Sequence, residues 1–482
     1  MNLLSNFLAP AAATPDQAAL LEADRQISYR DLIQLAGGAA VQLREANVSP
    51  GDRIALIGSN SIDLAVAYLA TLWVGAIAVP INPKAASFEI AAQLTAVSPA
   101  GVMALSGFGG AVPSEFVPMA IDVYRRAENV PIEPRGASDV AVLLFTSGTA
   151  GAAKAAMLSH GNLAANLASV FYTQDLSLAP NDVGFAALPW FHIFGLNVGL
   201  GLGLAAGVPI VIADAYDPAG TAAQIERHGV TVLATVPTML RAWLDLPGLT
   251  ATTFRSVRLC VSGAAPLDSD LVERVQQRFG LELHDGYGLT EASPIIATTA
   301  MGAPRDGSIG TPIPGVSVRL VDTDGNDVVD GDPGEIWAHG ANVFLGYWND
   351  PEATASVLAN GWLKTGDIAT RDEDGYLYLV DRAKDLIIVS GFNVYPGEVE
   401  AVLIEHPDVA EAAVVGISDE RTGEAVRAFV RPVEGRPADP QELTTWCRSY
   451  LSRYKCPTEI EVVSELPKGA TGKVLRRVLR TE

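Results

Sequence analysis

The stretch 143-LLFTSGTAGAAKAAMLSH-160 joins a short apolar run to glycines, hydroxyls and one lysine. The apolar run predicts a buried strand that leads into a loop and then a helix. The polar part of the stretch consists of Thr146, Ser147, Gly148, Thr149, Gly151 and Lys154. Glycines let backbone N–H groups turn toward an anion, and lysine adds a mobile positive charge. The stretch therefore predicts a phosphate-holding loop other than a Walker loop, with an ordinary surface loop as the alternative.

Apolar runs and helical patterns alternate on both sides of this stretch, from about residue 15 to residue 300. The runs are RIALIG (53–58), VAVLLF (140–145), VPIVIA (208–213) and VTVLATV (230–236). Between them, segments such as 61–76 place apolar residues at helical spacing, and Ser159 is suited to cap a helix that contains Leu163, Leu167 and Val170. This alternation predicts layered α/β structure with largely buried sheets.

The pattern changes after about residue 305, where Gly, Asp and Pro become frequent. The segments 315–329 and 370–381 alternate apolar and polar residues around the turns TDGN and EDG. Such segments predict hairpins in a small barrel or an antiparallel sheet. The last stretch of about 100 residues has mixed patterns and is long enough for a small α+β domain.

Composition limits the class of protein. The 482 residues carry a formal net charge of −22, which argues against binding to nucleic acid or to an anionic membrane surface. Three cysteines at 260, 447 and 456 form no CxxC pair, which favours a reducing, cytoplasmic location. The N-terminus does not have the pattern of a signal peptide, and no apolar run is long enough to predict a transmembrane segment.

Three further clusters contain residue types suited to nucleotide chemistry. In HDGYGLTEASP (284–294), Tyr287 could stack on a base, Thr290 could contact a phosphate and Glu291 could bind Mg²⁺. Asp367 in GWLKTGDIA could accept hydrogen bonds from ribose hydroxyls, and Lys473 lies in a basic C-terminal segment. Each also has a plain structural interpretation: a turn containing a solvated glutamate, a capping aspartate, and a surface lysine.

The order and spacing of these clusters resemble the adenylate-forming superfamily, which includes acyl-CoA synthetases. Seven segments occur in the family order: GAIAVPINP (75–83), LPWFHIFGL (188–196), VSGAAPL (261–267), YGLTEAS (287–293), GWLKTGDIA (361–369), DRAKDLIIVSGFNVYPGEVE (381–400) and LPKGATGKVLRR (466–477). The resemblance implies an α/β fold with a large AMP-binding N-terminal domain, residues 1–381, made of two layered α/β subdomains plus a small β-barrel. Residues 382–482 would form a small mobile α+β C-terminal domain.

The resemblance also implies residue roles. The loop 146–154 would contact the phosphates of ATP. The other ATP/AMP-binding positions would be Gly263, Ala264, Ala265, Asp285, Gly286, Tyr287, Gly288, Thr290, Asp367 and Arg382. Glu291 would bind Mg²⁺, and Lys473 would stabilise charge at the α-phosphate. Lys384 matches the hinge, while Ser390, Gly391 and the gate residue His192 match the coenzyme A tunnel. The catalytic set is therefore Lys473, Thr290, Glu291 and His192, and the acyl pocket is Trp190, Ile193 and Gly288.

The implied reaction is the ATP- and Mg²⁺-dependent conversion of a carboxylic acid to acyl-AMP and then to acyl-CoA. Gly288 predicts an open pocket for a medium- or long-chain fatty acid, and Ile193 argues against an amino-acid substrate. Aryl acids, transfer to a carrier protein and a non-catalytic binding protein remain alternatives, and a homodimer is left open. Family members usually have Thr at Ala150, Pro at Ala153 and Gly at Ala155, which leaves the strength of the ATP contact open.

Overall fold

The structure is a computed structural model. It describes residues 2–480 except 147–153, 172, 174–175, 266, 303, 383–386, 390–391, 395, 420–421, 452 and 470–473. Several predicted site residues lie outside the described residues: Ser147, Gly148, Thr149, Gly151, Lys384, Ser390, Gly391 and Lys473. Two of the loop alanines, Ala150 and Ala153, lie outside them as well.

The chain divides into two compact units. The first contains Met1–Ser317 and Ala338–Leu363, and the second contains Val318–Trp337 and Lys364–Glu482. The predicted domain boundary between residues 381 and 382 stays a prediction.

Helices and strands alternate along most of the chain. The helices are α1 (Leu4–Ala13), α2 (Tyr29–Glu45), α3 (Ile62–Trp73), α4 (Ser87–Val97), α5 (His160–Phe171), α6 (Leu202–Ala206), α7 (Pro218–His228), α8 (Pro237–Asp245), α9 (Ser269–Phe279), α10 (Pro351–Val357), α11 (Pro396–Ile404), α12 (Pro440–Tyr450) and α13 (Arg476–Leu479). A π-helical segment, Phe194–Gly201, precedes α6.

The strands of the first half are β1 (Ala18–Glu22), β2 (Arg25–Ser28), β3 (Arg53–Ile57), β4 (Ile77–Ile81), β5 (Gly101–Ala104), β6 (Val140–Thr146), β7 (Lys154–Ser159), β8 (Gly184–Ala186), β9 (Ile210–Ile212), β10 (Val232–Thr235), β11 (Leu259–Gly263) and β12 (Leu283–Gly288). Those of the second half are β13 (Ile295–Thr298), β14 (Thr311–Pro312), β15 (Val316–Val321), β16 (Gly334–Gly340), β17 (Leu358–Ala359), β18 (Trp362–Arg371), β19 (Leu377–Arg382), β20 (Ile387–Val389), β21 (Phe392–Val394), β22 (Val409–Asp419), β23 (Gly423–Pro432) and β24 (Glu459–Val462).

Two large sheets form the first unit. One has nine strands in the order β14-β13-β12-β11-β10-β8-β9-β1-β2, and its central strands are parallel. The other has five strands in the order β5-β3-β4-β6-β7, parallel except for β7. Parallel sheets need apolar cover on both faces, and every residue of α3 is buried. The predicted layered α/β architecture is therefore confirmed.

The second unit contains most of β15, β16 and β18, which are neighbours in that order, and β19 pairs antiparallel with β18. Both predicted hairpin turns are present, with Asp322 N–H donating to Asn326 O and Asp372 N–H donating to Tyr376 O. The strands β20–β24 form a further sheet, whose apolar face packs with α11 and α12 around Val414, Leu403 and Leu443. This part is the predicted small α+β region, and its mobility stays a prediction.

Among the described residues, no helix combines the length and the hydropathy needed to cross a membrane.

Candidate active site

The predicted phosphate loop connects two paired strands. Thr146 at the end of β6 is the register partner of Lys154 at the start of β7, so the residues that flank the loop lie side by side. The sequence predicted a helix after Ser159, and α5 begins there, but it did not predict β7, which lies between the loop and this helix. The small side chains of Ala155 and Ala156 are buried in β7, where the pairing with β6 fixes an extended backbone. Helix α5 then begins at His160, and Ser159 Oγ caps it by accepting the N–H of Asn162 at 3.0 Å.

Lys154 and Glu291 contact different parts of one tyrosine, Tyr347. The Nζ atom of Lys154 lies 5.2 Å from the ring centroid of Tyr347, within cation–π range. The hydroxyl of Tyr347 donates to Oε1 of Glu291 at 2.6 Å. Burial is the main cause that raises the pKa of Tyr347 far above its usual value, so the phenol stays protonated and remains the donor. The structure thus brings the predicted phosphate lysine and the predicted metal ligand to a common residue that sequence reasoning missed.

The segment 345–348 that carries Tyr347 runs along the outer edge of β7. Leu345 N–H donates to Met157 O, Met157 N–H to Gly346 O and Trp348 N–H to Ala155 O, at 2.8–3.0 Å. These three bonds continue the β-ladder beyond the sheet's last strand. The ring of Tyr347 is therefore fixed beside the start of β7, where Lys154 lies.

The turn that follows Glu291 is held by three buried asparagine side chains. Asn166 and Asn342 both donate to Ile295 O, and Asn342 also donates to Ala292 O. Asn197 donates to Ser293 O at 2.8 Å. Because a buried carbonyl without a donor is costly, these amides fix the backbone on the C-terminal side of the 3₁₀ turn Thr290–Ala292. No motif had marked these asparagines, since asparagine is a common surface residue.

Glu291 suits a magnesium ion that also binds phosphate oxygens. Its side chain is buried, and the hydroxyl of Tyr347 donates to one of its two carboxylate oxygens, Oε1. Magnesium in nucleotide sites takes one or two carboxylates together with phosphate oxygens and waters. The donor set around Glu291 therefore fits Mg²⁺.

The predicted adenine contacts come together where β11 and β12 end. These strands are parallel, and their register pairs Ser262 with Asp285 and Gly263 with Gly286. A Cβ at Gly263 would lie 2.8 Å from Gly286 O, so the strands approach each other as closely as glycine allows. Ala264 follows with φ +66°, a left-handed conformation rare for alanine, and it is exposed. Strain of this kind is typical of ligand sites.

The carboxyl of Asp285 differs from an ordinary surface aspartate. Burial raises its pKa to about 7, and backbone hydrogen bonds from Gly286 and Leu267 offset only part of that effect. Its own N–H donates to Thr299 Oγ1 at 2.8 Å, and its carbonyl accepts from Thr298 Oγ1 at 2.7 Å. Near neutral pH a substantial fraction of this side chain is therefore uncharged. Tyr287 beside it is only 8% exposed, so most of its ring is already buried.

Asn60 positions the predicted acyl pocket and gate. Its Oδ1 accepts the N–H of Trp190 at 2.9 Å, and its Nδ2 donates to Ala186 O and Leu188 O. Trp190 and Ile193 are buried, and the ring of His192 packs on Phe191 with centroids 4.7 Å apart. Burial lowers the pKa of His192, so the imidazole is neutral at pH 7. Its Nε2 has no hydrogen-bond partner in the part of the chain that the structure describes.

Gly288 has a steric reason to be glycine. A Cβ atom at Gly288 would point at the main chain of Pro294 and overlap it. The absence of a side chain at this position is therefore explained by packing within the nine-stranded sheet, whatever acid is bound. The acyl-size argument from Gly288 stays a prediction.

In the second unit, β18 and β19 place Asp367 opposite Arg382 in an antiparallel register. Asp367 is 7% exposed, and its N–H donates to Thr365 Oγ1 at 3.1 Å. The side chain of Arg382 lies outside the described residues. The backbone register alone brings these two predicted ribose ligands together.

Family models match most of the chain. The model of the AMP-binding enzyme matches residues 7–348, and that of the AMP-binding enzyme C-terminal domain matches residues 398–473. The protein is thus of the adenylate-forming type that its motifs predicted. The chain belongs to the AMP-binding enzyme family.

Its relatives include several enzymes named for coenzyme A. A long-chain-fatty-acid–CoA ligase of Yersinia pestis is 36% identical over 535 aligned positions, covering 100% of this chain and 94% of the relative. A feruloyl-CoA synthase of Amycolatopsis sp is also 36% identical, with 98% and 96% covered. The structure of O-succinylbenzoate coenzyme A synthetase (MenE) from Bacillus subtilis, in complex with ATP and a magnesium ion, has a TM-score of 0.86 at 31% identity. That match covers 100% of this chain and 99% of the other.

Proposed function

We propose that this protein is an AMP-forming acyl-CoA synthetase that activates a medium- or long-chain fatty acid with ATP and Mg²⁺ and transfers it to coenzyme A. The single observation that carries the proposal is the grouping of Lys154, Tyr347 and Glu291, which joins an ammonium for phosphate to a carboxylate for a metal. The 36% identity to a long-chain-fatty-acid–CoA ligase supports the choice of acid.

The first half-reaction is attack of the acid's carboxylate on the α-phosphorus of ATP, with release of pyrophosphate. In our proposal Thr146 and Lys154 hold the departing phosphates and Thr290 contacts the α-phosphate. Glu291 would hold Mg²⁺, which neutralises phosphate charge when bound. The ends of β11 and β12, from Gly263 to Ala265 and from Asp285 to Gly288, would hold adenine, and Asp367 with Arg382 would hold the ribose.

The second half-reaction is attack of the coenzyme A thiol on the acyl carbonyl, with AMP as leaving group. We propose that neutral His192 lies at the junction of acyl group and thiol, where a positive charge would be out of place for an apolar acid. Lys473 is proposed to act only in adenylation, Lys384 as the hinge, and Ser390 and Gly391 in the tunnel for pantetheine.

One assay tests the proposal. Purified protein is incubated with ATP, Mg²⁺ and each of acetate, octanoate, palmitate and ferulate, with and without coenzyme A. We expect pyrophosphate release with octanoate or palmitate and a thioester only when coenzyme A is added. Absence of pyrophosphate with every acid would contradict the enzymatic proposal, whereas pyrophosphate without CoA-dependent thioester would favour transfer to a carrier protein.

A variant of Lys473 separates the two half-reactions. Lys473→Ala should slow pyrophosphate release by about 10²-fold or more, because it removes a charge aimed at the transition state. Thioester formation from supplied acyl-AMP should change little. Equal loss of both steps would contradict the assignment of Lys473 to adenylation alone.

An aryl acid is the second candidate substrate. The observation that favours it is the feruloyl-CoA synthase, which matches this chain at the same 36% identity as the fatty-acid ligase. A kcat/KM for ferulate above that for octanoate and palmitate would select this alternative.

The setting of the protein is also a proposal. Three free, buried cysteines and a net charge of −22 favour a reducing cytoplasm and small-molecule partners without nucleic acid. A homodimer stays open, and light scattering of the purified protein would measure its assembly.

A further inference from the structure

Tyr347 lies between the two charged groups that we assign to ATP. Its ring is 8% exposed and Glu291 is 9% exposed, so their hydrogen bond is shielded from water. Hydrogen bonds to a charged acceptor in such surroundings are stronger than neutral ones. The bond therefore restricts the orientation of the Glu291 carboxylate before any ligand binds.

The same ring also holds the ammonium of Lys154. No ion pair within 4.0 Å joins Lys154 to Glu291 or to any other acid in the described part of the chain, and the ammonium instead faces the ring of Tyr347. A direct pair between these two residues would neutralise the charges that a metal and a phosphate need. A neutral aromatic spacer avoids this, because it attracts the cation through its face and the carboxylate through its hydroxyl.

We propose that Tyr347 is a positioning residue for nucleotide activation: it orients Glu291 toward the metal and keeps Lys154 apart from that carboxylate. This inference rests on the proposed ATP-dependent function and assigns a role to a residue that the site motifs do not contain. The backbone bonds between residues 345–348 and β7 explain how one side chain can serve both ends, since they fix the ring relative to Lys154.

The test uses Mn²⁺ as the probe, with α,β-methylene-ATP as a nucleotide that cannot be cleaved at the reacting bond. Electron paramagnetic resonance measures the Mn²⁺ dissociation constant of the full chain, so no acid and no turnover are needed. Tyr347→Phe keeps the ring and removes the hydroxyl. We expect it to raise the Mn²⁺ dissociation constant by about 5–10-fold, while binding of the nucleotide without metal changes less than twofold.

Tyr347→Leu removes the ring as well. We expect the same loss of Mn²⁺ affinity and, in addition, weaker metal-free nucleotide binding, because Lys154 is then free to pair with Glu291. The matched control is Tyr216→Phe in the same unit, which removes a hydroxyl that donates to Met239 O at 2.7 Å. It should leave the Mn²⁺ constant within twofold of wild type.

Equal Mn²⁺ affinities for Tyr347→Phe and wild type would overturn the inference, as would a wild-type protein that binds no Mn²⁺ with the nucleotide. If Tyr347→Leu does not fold, Tyr347→Phe decides the question. A wild-type protein that binds Mn²⁺ and nucleotide as expected but releases no pyrophosphate with any acid would contradict the proposed function and leave the role of Tyr347 supported.

Discussion

A Cβ atom at Gly288 would lie 1.9 Å from the carbonyl oxygen of Pro294. Contacts under 3.0 Å to backbone atoms cannot be relieved by a side-chain rotation, so the β12 end or the following turn would have to move. The same turn contains Glu291. Packing at Gly288 is therefore linked to the geometry of the proposed metal ligand.

Gly288→Ala should destabilise the protein by about 2–3 kcal/mol, because the added Cβ would overlap the backbone of Pro294 and force that backbone to shift. It should also weaken the binding of ATP, because the turn that would move contains Glu291. Denaturant unfolding and calorimetric titration with α,β-methylene-ATP measure the two effects. Gly109→Ala is the matched control, since a Cβ there meets nothing within 4 Å. A Gly288→Ala protein as stable as wild type, with altered acid preference alone, would return Gly288 to the role of a pocket-size residue.

Asn60→Leu should cost about 3 kcal/mol of unfolding free energy. It leaves the buried Trp190 N–H and Leu188 O without a partner, and Ala186 O keeps only the N–H of Ala213 as donor. We also expect the KM for the acid to increase more than the KM for ATP, because Asn60 holds Trp190 of the predicted acyl pocket. Gln277→Leu, an exposed helical position, should change stability by less than about 0.5 kcal/mol. Equal KM changes for both substrates would show that Asn60 supports the fold alone.

Asp285 should make the protein less stable as pH rises. Its folded-state pKa is about 7, above the usual 3.8, so the folded chain retains a proton that the unfolded chain has already lost. The free energy of unfolding therefore falls between about pH 4 and pH 7. Asp285→Asn should remove about 2–4 kcal/mol of this decrease. Unfolding free energies at several pH values measure it. Asp24→Asn, whose side chain is 95% exposed, should leave the slope unchanged.

His160 should act in the opposite direction over nearly the same range. Burial is the main cause that lowers its pKa to about 4, and its Nδ1 accepts the N–H of Leu3 at 3.1 Å. The unfolded chain binds the proton near pH 6.5 and the folded chain does not, so stability falls as pH falls from 6.5 toward 4. His160→Gln should abolish this loss and leave the Asp285 effect uncompensated.

Together, Asp285 and His160 predict that the free energy of unfolding of the wild type changes little between about pH 4.5 and 6.5. The single variants Asp285→Asn and His160→Gln should show slopes of opposite sign over this range. His339→Gln is a suitable control for the loss of an imidazole, because the side chain of His339 is exposed. Parallel profiles for wild type and both variants would contradict the assignment of these pKa values.

The sequence was sufficient to predict those elements whose conformation depends on residues close together in the chain. Strand β6, the cap at Ser159 and the hairpin turns at residues 322–326 and 372–376 all follow from neighbouring residues. The α/β layers follow from the alternation of apolar runs, because period and length distinguish strands from helices. Motif order then predicted the family, which the comparisons confirmed.

Sequence patterns missed the contacts that depend on distant parts of the chain. Tyr347 is far in sequence from both Lys154 and Glu291, and its position arises from the pairing of residues 345–348 with β7. Strand β7 was missed because alanine-rich segments favour helix, whereas here pairing with β6 decides the conformation. The pairing also gives Ala155 an extended backbone, so alanine at a position where the family usually has glycine needs no left-handed conformation.

The pairing of residues 345–348 with β7 has a consequence for association between molecules. Strand β7 is the last strand of its sheet, and an uncovered last strand offers free N–H and C=O groups to strands of other chains. The bonds at Ala155 and Met157 occupy these groups with the chain's own backbone. The segment that fixes Tyr347 therefore also protects the sheet against edge-to-edge aggregation, and variants that loosen it risk insolubility as well as loss of activity.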